Sequence, residues 1–503
     1  MGKNNKKILL ITPPYYRLYN SRYSLNRYPL SLGYLSGAIL DNTSWEVMTY
    51  NADFCQDNEQ LQVSYLAGEG FNNYLKNIND LTSSIWDEVK ETIRDFNPSV
   101  IGLSCMTQNF KGAYNIAKIA KELNEDILVI VGGPHANMFL SEVLDYPYID
   151  ICAVGEGEET IVELLNTIDG NNDFNTVTGI IYRIDGKVVV NQPRELLKDL
   201  DSLSFPHKYA HKVLKNYDRY PVEAFHNIFA IRGCPFNCIF CGSIYIWGRK
   251  PRYRSIDNVI EEIRNLSRMG VKRISFEDDS FGIKKSYILE LAEKINVNCP
   301  SVKWSCEMHV KTVTEEIVSA MSDSGCCKIT LGVESGNNDI LKKIRKKNTI
   351  EDCIHAGKII SKFNIELGAF FMVGFPWETE ETLKDTIRAM KKLNADYSVY
   401  SIFTPYKGSE AFSICKDMGL ISDDYDFSIY NHQSPLNCFC KNISKERFRK
   451  ICSKMERISD KRGIYYQLIK PLTSLKTIRK IKNKGLKGVI KKVRNLALAS
   501  TKK

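Results

Sequence analysis

The cysteines of the run Cys234-Pro-Phe-Asn-Cys238-Ile-Phe-Cys241 are the residues whose type and spacing point most directly to chemistry. Three thiolates at C-x3-C-x2-C spacing can hold a cubic iron–sulfur cluster, and such a cluster normally takes four cysteines. One iron is then left to a distant residue or to a small molecule, and an iron open to a small molecule is a place where reactions start. A zinc site and plain buried thiols are the competing readings. Zinc usually draws four ligands from paired C-x2-4-C units. One such unit is present here, so the spacing favours the cluster.

Two stretches of alternating strand and helix patterns frame this run. In the first third, short β-branched runs at Ile8 to Thr12, Trp45 to Tyr50, Val100 to Ser104, Ile127 to Val131 and Asp150 to Val154 predict a parallel sheet with crossover helices. Ligands of such sheets bind in the loops beyond the carboxyl ends of the strands. Those loops are Thr12-Pro13-Pro14-Tyr15-Tyr16, Ser104-Cys105-Met106-Thr107-Gln108, Gly132-Gly133-Pro134-His135-Ala136 and Gly155-Glu156-Gly157-Glu158. Their glycines let backbone approach a flat or elongated ligand closely. A connector follows, with a hairpin expected over Ile180 to Val190 around Asp185-Gly186. From residue 226 onward six more strands are expected, at 227 to 232, 271 to 276, 302 to 307, 327 to 333, 366 to 373 and 396 to 403. Ser255 can cap the first helix between them and Gly270 can end it, with Ile256, Val259, Ile260 and Ile263 as its buried stripe. Polar residues at such strand ends are where catalytic barrels keep their ligands: Glu277-Asp278-Asp279, Glu307, and Glu334-Ser335-Gly336. Each carboxylate could equally be a helix cap or a surface ion pair.

The cysteine run, with Phe240 before its last cysteine, resembles the signature of radical S-adenosylmethionine (SAM) enzymes. Together with Tyr28-Pro29-Leu30-Ser31-Leu32-Gly33-Tyr34-Leu35 and the Gly-Gly-Pro-His and Gly-Glu-Gly-Glu loops, the region from about residue 5 to 420 resembles the cobalamin-dependent radical SAM family. The resemblance implies an α/β chain of four parts: a Rossmann-like cobalamin-binding domain over 1–170, a linker with a hairpin over 171–225, a (β/α)6 partial barrel over 226–415, and a small, mostly helical region over 416–503. It implies a 4Fe-4S cluster on Cys234, Cys238 and Cys241, with the SAM amine and carboxylate on the open iron. SAM contacts would come from Phe240, from Glu277, Asp278 and Asp279 to the methionine amine, from Glu307 or Glu334 to the ribose, and from Ser335. Arg345 and nearby lysines would neutralise the carboxylate, and Gly374-Phe375-Pro376-Trp377-Glu378-Thr379 would frame the adenine. Cobalamin would rest on Ser104, Thr107, Gln108, Gly132, Gly133, His135, Gly155, Glu156 and Gly157. No Asp-x-His-x-x-Gly motif is present, so cobalt is expected without a lower histidine ligand, and His135 is taken as a cofactor contact only.

The activity so implied is methylation of an unactivated carbon in a natural-product or lipid-like small molecule. One SAM methylates reduced cobalt, and a second is cleaved to a 5′-deoxyadenosyl radical that opens the substrate carbon to the methyl group. The family also contains cyclases of the anaerobic magnesium-porphyrin ester type, which do not transfer methyl. A cobalamin- and cluster-bearing redox sensor or scaffold is the non-catalytic alternative. No residue is assigned a catalytic proton transfer.

Composition bounds the partners. The chain has 503 residues, long enough for two or three domains. Its 15 cysteines lack paired spacing, and no apolar run near the start is long enough for a signal peptide or a span, so a reducing cytoplasm is expected. The net charge of +10 arises in the tail: Lys461 to Lys503 carries 14 Lys/Arg and no Asp/Glu, leaving 55 basic against 59 acidic residues elsewhere. A nucleic-acid-binding face is therefore not implied. Leu486, Val489, Ile490, Val493 and Leu496 recur at helical spacing between lysines, as in a basic amphipathic helix that could touch an anionic membrane from the cytoplasmic side, dock a partner or stay solvated. An external electron donor such as flavodoxin or ferredoxin is the expected protein partner. Cys438-Phe-Cys440 with Cys452, and the scattered Cys55, Cys105 and Cys152, read as small buried hydrophobes rather than as further clusters.

Overall fold

The computed structural model describes residues 5–464 apart from 60 and 62. The basic amphipathic helix expected over 486–496 lies outside the described residues. Among the described residues no helix is long and apolar enough to cross a membrane.

The first sheet contains β1 (Lys7–Thr12), β2 (Glu46–Asn51), β3 (Val100–Ser104), β4 (Leu128–Gly132), β5 (Ile151–Ala153), β6 (Ile180–Ile184) and β7 (Lys187–Val190) in the order β2-β1-β3-β4-β5-β6-β7. The first five strands are parallel, as their β-branched runs require. Alternation along β1 serves two cores. Leu9 and Ile11 pack under the helices Ser84–Phe96 and Phe110–Leu123, while Ile8 and Leu10 pack under Leu30–Asn42 and Gly157–Asp169. The chain leaves β1 toward β2 on one side and reaches β3 on the other, so the crevice at their carboxyl ends is a topological switch point. The hairpin assigned to the connector is not a separate element. Its first strand pairs antiparallel with β5, from Ile151 opposite Tyr182 to Ala153 opposite Ile180, and extends the sheet. The remaining connector clamps the domains: Tyr28 donates its hydroxyl to the Pro206 carbonyl at 2.9 Å, and Phe54 stacks on Tyr220 at 3.6 Å. Gly33 is required there, because a Cβ would lie 2.7 Å from Pro206.

The second sheet follows from β8 (Asn227–Ile228), β9 (Ile231–Arg232), β10 (Arg252–Tyr253), β11 (Arg273–Phe276), β12 (Lys303–Met308), β13 (Cys326–Glu334), β14 (Glu366–Val373) and β15 (Tyr397–Ile402). Six of these form a parallel sheet in sequential order, β8-β11-β12-β13-β14-β15, and β9 pairs with β10 in a separate antiparallel ribbon. The single strand expected over 227 to 232 is thus split. The buried Asp278 carboxylate accepts the amides of Ala230 and Ile231 at 2.8 and 2.7 Å, so the pairing with β11 stops at Ile228. Ser255 caps the helix Ile256–Arg268 through the Asn258 amide, and Val259, Ile260 and Ile263 are buried, as the pattern predicts. The helix Lys445–Ile464 covers β15 with Phe448, Ile451 and Met455.

Candidate active site

A cavity of about 700 Å³ lies between the two sheets. One wall is the first sheet's carboxyl edge, with Gly102, Ser104, Met106, Gly132, Gly133, Gly155 and Gly157; the other comes from the second domain, with Asn227 of β8, Gly242, Ser243 and Trp247 beyond the cysteine run, and Glu277 and Asp279 after β11. On the first wall, glycine turns expose backbone between mostly apolar side chains such as Leu30, Leu35 and Met138. Gly133 has φ +93° and a Cβ there would lie 2.9 Å from the Cys105 carbonyl, whereas Gly155, at φ +91°, faces open space. Such a surface lets a broad ligand approach backbone at the glycine turns and cover apolar side chains elsewhere, which fits a corrin macrocycle. Ser104 is held by Ser31 at 3.2 Å, and the half-exposed Met106 is an apolar side chain left for a ligand to cover.

Not every loop residue marked in the sequence turns to this cavity. His135 is buried between Phe110 and Phe139, with ring centroids at 3.7 and 4.0 Å, and its Nδ1 meets the Thr107 hydroxyl at 3.3 Å. Burial drives its pKa down to about 3, so it packs as a neutral ring in the domain core. Thr107 is spent on that contact, and Gln108 lies outside the cavity wall. Glu156 borders the cavity, but its carboxylate is taken by Arg232 and Arg252, both at 2.7 Å.

The cysteine loop leaves β9 and is pinned on several sides. Phe236 stacks on His309 at 3.8 Å, the Ile239 amide donates to Ile344, and the Cys238 thiol lies 3.9 Å from the Arg345 carbonyl. Phe240 packs toward Phe375, at 5.8 Å between centroids. Burial pushes all three thiols up, Cys238 to about 11, while the Lys346 ammonium opposes the shift at each. Iron would replace the protons so retained. Among the described residues no three such side chains converge as a single ion would need. A cubic cluster does not ask for that, because each cysteine ligates a different iron; an all-thiol donor set beside a lysine fits a cluster bound by three thiolates.

The sequence marks Lys346 only as one of the lysines near Arg345 and does not mark Arg232. Lys346 lies at the end of a short helix-to-helix turn and pairs with Glu334 at 2.8 Å, both side chains about 11% exposed. Glu334 itself has φ +65° beside a register shift in β13, a conformation that aims its carboxylate at the cluster loop. The neighbouring Ser335 is fully buried against Thr386 and caps Asn337, a local structural duty. Arg345 forms a two-pronged pair with Glu410 at 2.6 and 2.7 Å on the surface, so its guanidinium is already engaged. Gly374 donates its amide to the buried Glu378 carboxylate, which also accepts Phe375 at 3.1 Å; burial raises Glu378 to about 8.

The acidic turn divides into three roles. Asp278 serves the backbone, and desolvation raises it to about 7. Asp279 accepts the Ser243 hydroxyl at 2.6 Å and stands close enough to Cys234 and Cys241 to oppose their ionisation, so it is the acceptor of the turn that faces the cluster loop. Glu277 borders the cavity, accepts Ser275 at 2.9 Å and lies 3.8 Å from Arg27. Glu307 looks into the barrel, where withdrawal from bulk water and the nearby Glu277 push it up to about 7. The register that places Ser275 opposite Ser305, and Ser305 opposite Lys328, makes this inner face polar. Ile274, Trp304 and Ile329 turn the other way into the core.

Comparison with known proteins agrees with these two walls. Residues 35–165 match the B12 binding domain model and residues 228–390 match the model of the Radical SAM superfamily. The chain is similar to an uncharacterized methyltransferase of Pyrococcus horikoshii, 31% identical over 413 residues that span 80% of this chain and 82% of the relative. It is similar to the anaerobic magnesium-protoporphyrin IX monomethyl ester cyclase of Rubrivivax gelatinosus, 29% identical over 71% of this chain and 64% of that one. Its fold resembles that of the radical S-adenosylmethionine methyltransferase TsrM from Kitasatospora setae with cobalamin and a 4Fe-4S cluster bound, at a TM-score of 0.65 and 16% identity, with 90% of this chain and 89% of that chain covered. Tandem matches on the two domains that face the cavity, and a relative at 31% identity spanning most of both chains, lead to one assignment: the chain belongs to the cobalamin-dependent radical SAM enzymes, with a 4Fe-4S cluster, SAM and cobalamin as its cofactors.

Proposed function

We propose that the chain methylates a carbon atom of a small polar molecule. The observation that supports this reading is the shared cavity, in which the glycine loops of the first sheet face Gly242 and Ser243, just beyond the cysteine run, and Asp279 of the acidic turn across one space. When bound, cobalamin supplies a transferable methyl group and the cluster with SAM supplies the means to open a carbon–hydrogen bond; the protein supplies orientation and a space closed to water. Cys234, Cys238 and Cys241 hold the cluster. Asp279, steadied by Ser243, accepts the SAM ammonium, and Glu334, steadied by Lys346, is placed to accept the ribose hydroxyls. Ser104 and the turns at Gly132, Gly133, Gly155 and Gly157 support the corrin.

Substrate would enter from the open edge of the second sheet, against Ser275, Glu277, Ser305, Glu307, Lys328 and Thr330. A polar inner face of this kind favours a substrate with hydroxyl or amino groups over a long apolar chain. The two electrons needed would come from an external reductant such as a flavodoxin or ferredoxin. The test is anaerobic incubation of the reconstituted protein with SAM, reductant and candidate substrates. S-adenosylhomocysteine and 5′-deoxyadenosine should rise together with a methylated product. The likeness to the cyclase of Rubrivivax gelatinosus carries a second reading, oxidative cyclisation, and deoxyadenosine without any methylated product would select it. A loaded, reduced protein that never consumes SAM would instead be a sensor.

A further inference from the structure

The two walls of the cavity are joined by four buried charges. Arg232 lies at the end of β9, two residues before Cys234, and its guanidinium forks between the carboxylates of Glu156 at 2.7 Å and Glu158 at 2.6 Å. Arg252, its partner in the β9–β10 ribbon, takes the other oxygen of Glu156 at 2.7 Å, and that oxygen also accepts the Leu197 amide at 2.8 Å. The side chains are between 2% and 12% exposed. Glu156 and Glu158 belong to the loop from Gly155 that borders the cavity and starts the helix Gly157–Asp169. Arg232 is also sandwiched between Tyr34 of the first domain, at 5.1 Å, and Trp247 just beyond the cysteine loop, at 4.7 Å. One guanidinium therefore touches the corrin-side loop on its donor edge and the cluster-side segment on its face.

Stability is a poor reason to build such a knot. Buried ion pairs forfeit so much hydration that an apolar replacement of equal volume is often as stable. Here, moreover, Nε and Nη2 of Arg252 are buried without a partner, so the arrangement is not tuned for maximal bonding. What a guanidinium shared between two carboxylates does supply is direction, because its rigid planar donors must meet both acceptors at once.

We propose that Arg232 is a positioning residue that sets the placement of cobalamin relative to the iron–sulfur cluster. It holds the turn on which the corrin lies and the root of the loop that carries the three cysteines in one rigid unit. Reactions between two bound groups are sensitive to such placement, with a displacement of about 1 Å costing roughly 100-fold. The inference rests on the presence of both cofactors and not on methyl transfer, so it can fail or stand independently of the proposed reaction.

The test is magnetic and needs no substrate. Full-length Arg232→Lys keeps the charge but loses the fork, and Glu158→Gln weakens one prong to a neutral hydrogen bond while leaving Glu156 to both arginines. Each variant is loaded with cobalamin, iron and sulfide, its cofactors are counted, and the coupling between cob(II)alamin and the reduced cluster is measured by pulsed electron paramagnetic resonance. The expected result is cofactor content equal to wild type with a weakened or broadened coupling in both variants, larger in Arg232→Lys. Coupling identical to wild type in the loaded fraction would overturn the proposal and leave Arg232 a structural ion pair. Should Arg232→Lys fail to fold, Glu158→Gln decides alone by the same criterion.

Discussion

The two walls of the cavity offer a ligand different physics. The first-domain wall is glycine turns among mostly apolar side chains such as Leu30, Leu35, Met106 and Met138, and its two acidic members, Glu156 and Glu158, are neutralised by arginines from the other domain. The second-domain wall carries the carboxylates of Glu277 and Asp279 and the guanidinium of Arg232, and beyond it stand the thiols of the cysteine run, Glu307 and Lys346, several with pKa values pushed far from their ordinary range by burial. A large neutral macrocycle needs a shaped surface, which backbone can make. A charged nucleotide and a metal cluster need placed charge, and placed charge must be paired wherever water is excluded.

That contrast can be broken from either side. The largest effect should come from Cys238→Ala, which is expected to abolish cluster retention and deoxyadenosine formation while leaving cobalamin bound; iron and sulfide analysis and the corrin absorbance read the two sides separately. Next, Lys346→Met strands the buried Glu334 carboxylate and should destabilise the barrel by about 3–5 kcal/mol, with part of the loss recovered in Lys346→Met/Glu334→Gln, as followed by denaturant unfolding.

Asp278 offers a pH signature on the charged side. Its folded pKa is raised from 3.8 to about 7, so between those values the folded protein holds a proton that the unfolded chain releases. Its contribution to stability is therefore greatest at low pH and declines through this window by about 1.4 kcal/mol per pH unit. Asp278→Asn keeps an acceptor for the Ala230 and Ile231 amides without a titrating proton, and its unfolding midpoint should fall less than wild type's between pH 4 and pH 7. An equal slope would show that the carboxyl is already ionised. The smallest effect is expected on the shaped side. Gly133→Ala must hold an alanine at φ +93° with its Cβ against the Cys105 carbonyl, a strain of about 1–2 kcal/mol. Cobalamin affinity should fall by about tenfold, with cluster content unchanged, in a titration of the apoprotein.

Much of the scaffold could be read from local pattern. The β-branched runs at Val100 to Ser104 and 366 to 373 became β3 and β14 with the same limits, since strands buried on both faces must be nearly continuous in apolar residues. The Ser255 cap was legible for a similar reason, because it acts within one turn. The hairpin at 180 to 190 was legible as a hairpin but not as part of the first sheet, because pairing with β5 is a long-range choice. The split of the strand at 227 to 232 was invisible for the same cause, an aspartate nearly fifty residues further on.

The site shows the same division. Cysteine spacing is local, so the sequence by itself marked the proposed cluster ligands and, through the glycine turns, the kind of surface proposed to face the corrin. Only tertiary structure decided that His135 lies in an aromatic sandwich, that Arg345 is held by Glu410, that Glu334 meets Lys346, and that Arg232 ties two domains together. A buried Arg232 in an apolar strand was the one available hint of that tie. The reason is general: backbone conformation depends on neighbours in sequence, whereas a buried charge depends on which partner the fold brings within about 3 Å.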